Sequence, residues 1–106
     1  MVLHLVDTGD IIHVGNKKEF TIGRTGDGQK IIPEIDLTDY DAYSAGVSRL
    51  HVNLSIGSSK VTAQDLDSAN GTRLNGIRLT PQTKHKIKHG DILTLGTLKV
   101  QIIFQE

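Results

Sequence analysis

Ser48, Arg49 and Asn70 carry side chains that together could hold an anion. The Ser48 hydroxyl and the Asn70 carboxamide can donate neutral hydrogen bonds, and the Arg49 guanidinium adds positive charge and a planar set of N–H donors. Arg24 lies in a separate polar, glycine-rich stretch, residues 23–28, and brings a second guanidinium. These residues could therefore bind a charged group, provided that the fold brings them together.

Two predicted strands lie between these residues. Residues 51–56 and 60–65 have the composition of antiparallel strands, and the polar residues 57–59 form a tight turn between them. When two strands pair as a hairpin, the segment before the first strand and the segment after the second emerge at the same end. The hairpin would therefore place Ser48 beside Asn70.

Short apolar runs separated by turn residues continue along the rest of the chain. Their even spacing favours an all-β sandwich or barrel, and no window keeps a helical period. The Asn75-Gly76 pair is typical of a two-residue type I′ turn, because both positions need positive φ. Eleven candidate strands result: the hairpin already described, the two arms around Asn75-Gly76, and residues 2–6, 11–14, 19–22, 34–37, 84–87, 92–95 and 99–104.

The composition excludes several classes of protein. The length fits a single domain, residues 1–106, with one modest core. Twelve basic and twelve acidic residues balance, which argues against a nucleic-acid-binding protein that works by phosphate neutralisation. The absence of cysteine excludes disulfides and cysteine-based zinc sites. Neither a signal peptide nor a membrane-spanning run is predicted, so we expect a cytoplasmic protein whose partners include no membrane and no nucleic acid.

Four short motifs follow one another along the chain: Gly23-Arg24, Ser48-Arg49-Leu50-His51, Asn70-Gly71-Thr72 and Asn75-Gly76. Taken in this order, they resemble the motifs of the forkhead-associated (FHA) domain family. The resemblance implies an eleven-stranded antiparallel β-sandwich of two sheets, of the FHA/SMAD-like kind, with its binding loops at one end. It also implies that the domain binds phosphothreonine in partner proteins, which would be substrates of a Ser/Thr kinase.

The resemblance assigns four residues to phosphopeptide binding. Arg24 and Ser48 would contact the phosphate directly, and Arg49 occupies a position that often faces it. Asn70 would hold the main chain of the peptide beside the phosphothreonine, since its carboxamide offers both a donor and an acceptor.

Six further motif residues are expected to support the binding loops rather than touch the ligand. Gly23 would free the backbone so that Arg24 can project into the site. His51 would brace the loops, as the resemblance implies. The six residues are Gly23, His51, Gly71, Thr72, Asn75 and Gly76.

Two positions depart from the family pattern. Ala69 stands where the family often has Thr or Ser, so its side chain cannot donate a hydrogen bond to phosphate. Affinity would then be lower, unless Ser68 substitutes for it. Gly46 stands where some members have a basic residue, which puts a preference for an acidic residue downstream of the phosphothreonine in doubt.

Two other interpretations are open at this point. The same fold could serve as a phosphate-independent interaction module. Ala69 weakly favours this interpretation, and the presence of Arg24, Ser48 and Asn70 disfavours it. Catalysis is disfavoured, because Ser48 and His51 are three residues apart in extended chain and point to opposite faces. No acidic residue is placed to orient His51 either.

We expect no cofactor and no metal. Residues 23–28 have the glycine spacing of a phosphate-binding loop, but Gln29-Lys30 follows where Lys-Ser or Lys-Thr is required, and no helix comes next. Two further sets of potential metal ligands lack the required spacing or a third ligand: Asp36, Asp39 and Asp41, and His85 with His89.

Overall fold

The computed structural model describes residues 1–104 and contains eleven strands. Gln105 and Glu106, the last two residues of the predicted domain, lie outside the described residues. One short 3-10 helix, Thr38–Tyr40, lies between the fourth and fifth strands. The strands are β1 (Val2–Leu5), β2 (Ile11–His13), β3 (Glu19–Gly23), β4 (Ile35–Asp36), β5 (Leu50–Ile56), β6 (Val61–Asp65), β7 (Thr72–Leu74), β8 (Ile77–Arg78), β9 (Lys84–Ile87), β10 (Ile92–Leu95) and β11 (Leu98–Ile103).

The strands form two sheets, which confirms the predicted all-β architecture. The six-stranded sheet has the order β2-β1-β11-β10-β7-β8, and the five-stranded sheet has the order β4-β3-β5-β6-β9. All pairs are antiparallel except β3 and β4, which run parallel. None of the helical structure within residues 1–104 has the length and hydrophobicity that crossing a bilayer requires.

Alternating side chains build the core between the sheets. In β11, Val100 and Ile102 are fully buried, whereas Lys99, which precedes Val100, is exposed. Phe20 on β3 and Leu54 on β5 are fully buried from the five-stranded sheet. Successive residues of a strand point to opposite faces, so each strand covers the core with every second side chain.

β3 and β5 pair with a β-bulge close to one end of the sandwich. Ile22 opposes Val52, but the next residue of β3, Gly23, opposes Leu50, so His51 is an extra residue on β5. The bulge interrupts the alternation, and His51 and Val52 are both fully buried although they are adjacent. His51 can therefore lie beneath the loops at that end.

The β5–β6 hairpin fixes which loops share an end. Its turn closes with a hydrogen bond from the Gly57 N–H to the Lys60 carbonyl (2.8 Å). β5 is seven residues long. At about 3.4 Å per residue, the turn lies about 20 Å from the loops that enter β5 and leave β6. The sandwich thus has two distinct ends.

Candidate functional site

Three loops meet at the end of the sandwich remote from the β5–β6 turn. They are residues 24–34 between β3 and β4, residues 37–49 between β4 and β5, and residues 66–71 between β6 and β7. We call this end the loop end. It contains the four predicted ligand-binding residues, which come from all three loops.

Arg24 is held by the 37–49 loop. Its Nε donates a hydrogen bond to the Val47 carbonyl (2.7 Å), and its guanidinium carbon lies 4.8 Å from the ring centroid of Tyr43. The Arg24 backbone N–H also donates to the Arg49 carbonyl (3.1 Å). These contacts fix the guanidinium at one place. Its Nη1 also donates a longer hydrogen bond to the Thr25 carbonyl (3.4 Å), which leaves Nη2 and the second N–H of Nη1 for a ligand.

Ser48 joins the 37–49 loop to the 66–71 loop. Its hydroxyl oxygen accepts a hydrogen bond from the Ala69 N–H (3.0 Å). A hydroxyl has one donor and two acceptor lone pairs, so the Ser48 proton stays free to donate to a ligand. The predicted proximity of the loops that flank the β5–β6 hairpin is therefore confirmed.

Asn70 bonds to the residue before Val47. Its Nδ2 donates to the Gly46 carbonyl (3.0 Å), so Arg24 and Asn70 bind consecutive carbonyls of one loop. The Asn70 side chain is exposed, and its oxygen and second N–H remain available. Gly46 has φ of +84°, and a Cβ there would lie 2.6 Å from the Asn70 Nδ2. A side chain at position 46 would therefore displace the Asn70 carboxamide.

Two further arginines border these loops. Arg49 is exposed, and its guanidinium lies against Gly26, where an added Cβ would be 2.7 Å from the Arg49 Nε. Arg78 on β8 lies over Gly71: a Cβ added at Gly71 would be 3.1 Å from the Arg78 guanidinium carbon. Arg78 is not part of the sequence motifs, and only the β7–β8 hairpin brings it to this place.

His51 connects the loops from below. Its Nδ1 accepts the Ser48 N–H (2.9 Å), so its Nε2 carries the proton and donates to the Gly71 carbonyl (3.0 Å). Burial lowers the pKa of His51 from its ordinary 6.5; the hydrogen bond to Gly71 and the charge of Asp65 act in the opposite direction. His51 is thus neutral, and it joins two loops through its two ring nitrogens.

Asp65 organises the 66–71 loop. Its carboxylate is almost fully buried and accepts hydrogen bonds from the Thr72 hydroxyl (2.7 Å) and from the Ser68 hydroxyl and N–H. Through this hydrogen bond, Thr72 helps to hold the 66–71 loop in place. The Ser68 hydroxyl is committed to Asp65, so the structure does not place it as a substitute for the side chain that Ala69 lacks.

Asp36 ties the 24–34 loop to the 37–49 loop. Its Oδ1 accepts hydrogen bonds from the Thr38 hydroxyl and N–H and from the Thr25 N–H (3.2 Å). Partial burial acts to raise the pKa of Asp36, but the hydrogen bonds from Thr38 and Thr25 outweigh it, so that the pKa lies below its ordinary value. This carboxylate therefore positions the loop that carries Arg24.

The structure gives a different reason for glycine at position 23 from the one that the sequence suggests. The sequence suggests that it frees the backbone for Arg24, but its φ does not lie in the left-handed region. A Cβ at Gly23 would lie 2.0 Å from the Arg49 carbonyl oxygen. Glycine is required because β3 and β5 approach closely at the bulge. The expectation is wrong because the close approach of β3 and β5 cannot be recognised from the sequence.

Asn75 and Gly76 stabilise the β7–β8 turn. Their φ values are +50° and +87°, as a type I′ turn demands. The Asn75 carboxamide donates to Asp91 (3.0 Å) and accepts the Ile92 N–H (2.9 Å), which joins the turn to β10. Gly71 has φ of +81°, in the left-handed region that favours glycine.

Besides Arg78 and the two buried or loop-binding carboxylates of Asp65 and Asp36, sequence reasoning misses two further contributions to the loop end. Tyr43 is 78% exposed, and its face lies against the Arg24 guanidinium. The β10–β11 turn reaches the loop end from the other sheet: the Thr97 N–H donates to the Ala45 carbonyl (2.8 Å), and the Gly96 N–H donates to the Gly71 carbonyl (3.2 Å). A tyrosine in a long loop and a Gly-Thr turn are too common in sequences to reveal these roles.

The arrangement is suited to binding rather than to nucleophilic chemistry. The group of Ser48 that faces the His51 ring is the backbone N–H, while its hydroxyl faces Ala69. Ser48 and His51 therefore do not form a nucleophile and base pair. Within residues 1–104, no three His, Asp or Glu side chains are grouped so as to hold a metal ion.

Comparisons with known proteins identify the family to which the fold belongs. The family model for the FHA domain matches residues 20–96. Protein FraH from Nostoc sp. is 30% identical to the chain, and the match covers 84% of the chain and 33% of FraH. The chain therefore spans about a third of the length of that relative.

Solved structures share the fold. The FHA domain of a hypothetical protein from Arabidopsis thaliana has a TM-score of 0.73 at 28% identity, covering 99% of this chain and 86% of that one. A structure from a study of phosphothreonine-dependent FHA domain interactions has a TM-score of 0.74 at 24% identity, covering 99% of this chain and 96% of that one.

Proposed function

Because the chain belongs to the FHA domain family, we propose that it binds phosphothreonine in partner proteins through the loop end. In this proposal it acts as an interaction module without catalytic activity. The partner is a substrate of a Ser/Thr kinase, and the encounter takes place in the cytoplasm. The fold positions the loops, and four side chains on them contact the ligand: Arg24, Ser48, Arg49 and Asn70.

The observation that carries the proposal is the mutual anchoring of Arg24, Ser48 and Asn70. Arg24 and Asn70 hold consecutive carbonyls of the 37–49 loop, and Ser48 holds the Ala69 N–H. Each side chain uses only part of its hydrogen-bonding capacity within the protein, since Arg24 also donates from Nη1 to the Thr25 carbonyl, and each keeps other groups for a ligand. A site whose donors are fixed before binding loses little conformational entropy when the ligand arrives.

The free donors suit a phosphate dianion. A phosphothreonine carries about −1.5 to −2 charge at neutral pH and three acceptor oxygens. The terminal nitrogens of Arg24 and the hydroxyl proton of Ser48 supply charge-assisted hydrogen bonds of about 1.5 to 3 kcal/mol each. The Asn70 carboxamide is left to bond the peptide backbone. After the cost of ordering the peptide, this supports affinities of about micromolar scale.

Ala69 limits the number of phosphate donors. It offers no side-chain donor, and the hydroxyl of its neighbour Ser68 is bound to Asp65. The proposal therefore assigns the phosphate mainly to Arg24 and Ser48, with Arg49 close by. The same observation favours the second candidate function, a phosphate-independent interaction module on the same fold.

Titration of three forms of one peptide separates these two functions. Peptides from a threonine-centred library are measured with phosphothreonine, with phosphoserine and unmodified, by isothermal titration calorimetry. We expect only the phosphorylated forms to bind, the phosphothreonine form most tightly. Arg24→Ala should weaken binding at least about tenfold, or about 1.4 kcal/mol.

The matched control is Lys17→Ala, which removes one positive charge at the other end of the sandwich. It should leave the affinity for the phosphorylated peptide unchanged. Equal affinity for modified and unmodified peptides would establish the phosphate-independent module instead. An Arg24→Ala variant that binds like the wild type would remove Arg24 from the site.

A further inference from the structure

A cleft of about 720 Å³ lies at the end opposite the loop end. The β2–β3 loop, the β5–β6 turn and the end of β9 line it, together with the outer ends of β1 and β11. None of the predicted ligand-binding residues borders it. Among residues 1–104, its lining includes no Asp or Glu and five lysines: Lys17, Lys18, Lys60, Lys86 and Lys88. We call this feature the lysine cleft.

The lysine cleft concentrates the positive charge of a neutral chain. The whole chain has twelve basic and twelve acidic side chains. Five of the twelve basic ones line the cleft, so the rest of residues 1–104 has seven basic against eleven acidic side chains. The electrostatic potentials of like charges add up in a concave surface, so a cleft lined by lysines attracts an anionic ligand.

The floor of the lysine cleft is apolar. Val61 and Ile87 are buried there, and Ile56 and Phe104 are half-buried. Phe104 is fixed by a hydrogen bond from its N–H to the His89 Nδ1 (3.0 Å) and by an edge-on contact between the two rings (5.9 Å between centroids). A ligand that fills the cleft would thus meet apolar side chains below and ammonium groups around the rim.

The backbone that carries the lysines is held in place. The Ile56 N–H donates to the Lys18 carbonyl (2.7 Å), and the Gly57 N–H donates to the Lys60 carbonyl (2.8 Å). The lysine side chains themselves are exposed and free to adapt. An ammonium group bonds carboxylates without a fixed fork geometry, so this rim suits several carboxylates at variable positions.

We propose that the lysine cleft binds an acidic peptide segment that carries at least one large apolar side chain. The carboxylates of the segment pair with the five lysines, and its apolar side chain packs on Ile56 and Phe104. This second site recognises its ligand without phosphorylation. It lies about 20 Å from the loop end, by the length of β5, so the two sites can be occupied together.

Two other anionic partners fit the cleft less well. Insertion into a membrane surface needs protruding apolar side chains. The large apolar residues that are well exposed lie elsewhere on the molecule, and those of the cleft are recessed. Single-stranded nucleic acid needs several aromatic faces for base stacking, and the cleft lining has one aromatic residue and no arginine.

Fluorescence anisotropy with a labelled, unphosphorylated peptide tests the proposal. The probe carries Leu and Phe flanked by Glu and Asp, and the reference is a polyglutamate of equal length and charge. The Lys60→Glu/Lys86→Glu variant reverses two exposed charges of the cleft. The Lys84→Glu/Lys99→Glu variant makes the same net change at exposed strand positions outside it.

We expect the probe to bind the wild type more tightly than polyglutamate does. The cleft variant should lose at least about tenfold in affinity, whereas the control variant should stay within about twofold. Amide chemical shifts should change upon titration at residues 57–60 and 86–88. The affinity for a phosphothreonine peptide should not change in the cleft variant, so failure of one site is distinguishable from failure of the other.

Several results would overturn the proposal. These are no binding of the probe, equal binding of polyglutamate, or an equal loss in both variants. Tighter binding to phosphatidylserine-containing vesicles than to the probe would assign the cleft to a membrane surface. Tighter binding to a single-stranded RNA would assign it to nucleic acid.

Discussion

The loop end and the lysine cleft both carry positive charge, but they hold it in different ways. At the loop end, the Arg24 guanidinium is fixed between the Val47 carbonyl and the Tyr43 ring. In the cleft, the ammonium groups are exposed on long side chains around an apolar floor. A fixed guanidinium selects one charged group in one orientation, whereas mobile ammonium groups select charge density. The two ends therefore suit different classes of peptide.

The largest expected difference between the two ends concerns a glycine in each. Gly23→Ala would bring a Cβ to 2.0 Å from the Arg49 carbonyl oxygen, whereas Gly57→Ala in the cleft would bring one to 3.3 Å from the Lys60 carbonyl oxygen. Neither glycine has positive φ. We expect Gly23→Ala to lower the free energy of unfolding by about 3 kcal/mol, because backbone must move, and Gly57→Ala to change it by less than about 0.5 kcal/mol. Urea denaturation measures both, and similar values would show that the loop end is no more tightly packed.

A second comparison exchanges the two kinds of cation. Arg24→Lys keeps the charge but loses the Nε–H that bonds the Val47 carbonyl, so phosphothreonine-peptide affinity should fall about tenfold, or about 1.4 kcal/mol. Lys60→Arg in the cleft should change acidic-peptide affinity less than about twofold, since charge alone matters there. Calorimetry on both variants checks this. A tolerated Arg24→Lys would mean that charge, and not a fixed fork, governs the loop end.

A third comparison separates backbone strain from a local clash. Gly46 and Gly15 have similar positive φ, but a Cβ at Gly46 would meet the Asn70 Nδ2, and a Cβ at Gly15 would meet nothing within 4 Å. Gly46→Ala should weaken phosphopeptide binding about fivefold, or about 1 kcal/mol, by displacing the Asn70 carboxamide. Gly15→Ala should leave it unchanged.

A double variant sharpens this comparison. If Gly46→Ala acts through the carboxamide of Asn70, adding Asn70→Ala should cause little further loss of phosphopeptide affinity. Additive losses would show that the two positions act independently.

The smallest effect concerns pH and belongs to the loop end alone. Because the pKa of His51 is lowered on folding, the unfolded chain takes up a proton near pH 6.5 while the folded protein resists it. The contribution of His51 to the free energy of unfolding is therefore fully present above about pH 6.5 and falls as the pH drops below that value. The slope of the free energy against pH from this group corresponds to at most one proton. Urea denaturation at several pH values measures it. His51→Gln, which cannot titrate, should lack this part of the slope, and an unchanged slope would assign it to other groups.

The strands and the meeting of the binding residues can be predicted from the sequence. Alternation of residues such as Val100 and Ile102 reveals the core face, and the β5–β6 hairpin brings Ser48 to Asn70. The reason for Gly23 cannot be predicted, because the bulge that demands glycine depends on how β3 meets β5.

The lysine cleft cannot be predicted from the sequence either. Its lysines come from positions 17–18, 60 and 86–88, and these segments meet only when β3, β5, β6 and β9 pair in the five-stranded sheet. The parallel pairing of β3 with β4 cannot be predicted from the sequence either. β4 is only two residues long, and its direction depends on the path of the 24–34 loop.

The pairing of the first and last strands determines how the domain can be attached to a support. Val2 opposes Ile103, and Met1 and Phe104 both border the lysine cleft. A tag or immobilising linker joined at Met1 would therefore leave the loop end facing outward and unobstructed. The same linker would crowd the lysine cleft, so a sensor chip coated through Met1 would expose the loop end and mask the cleft.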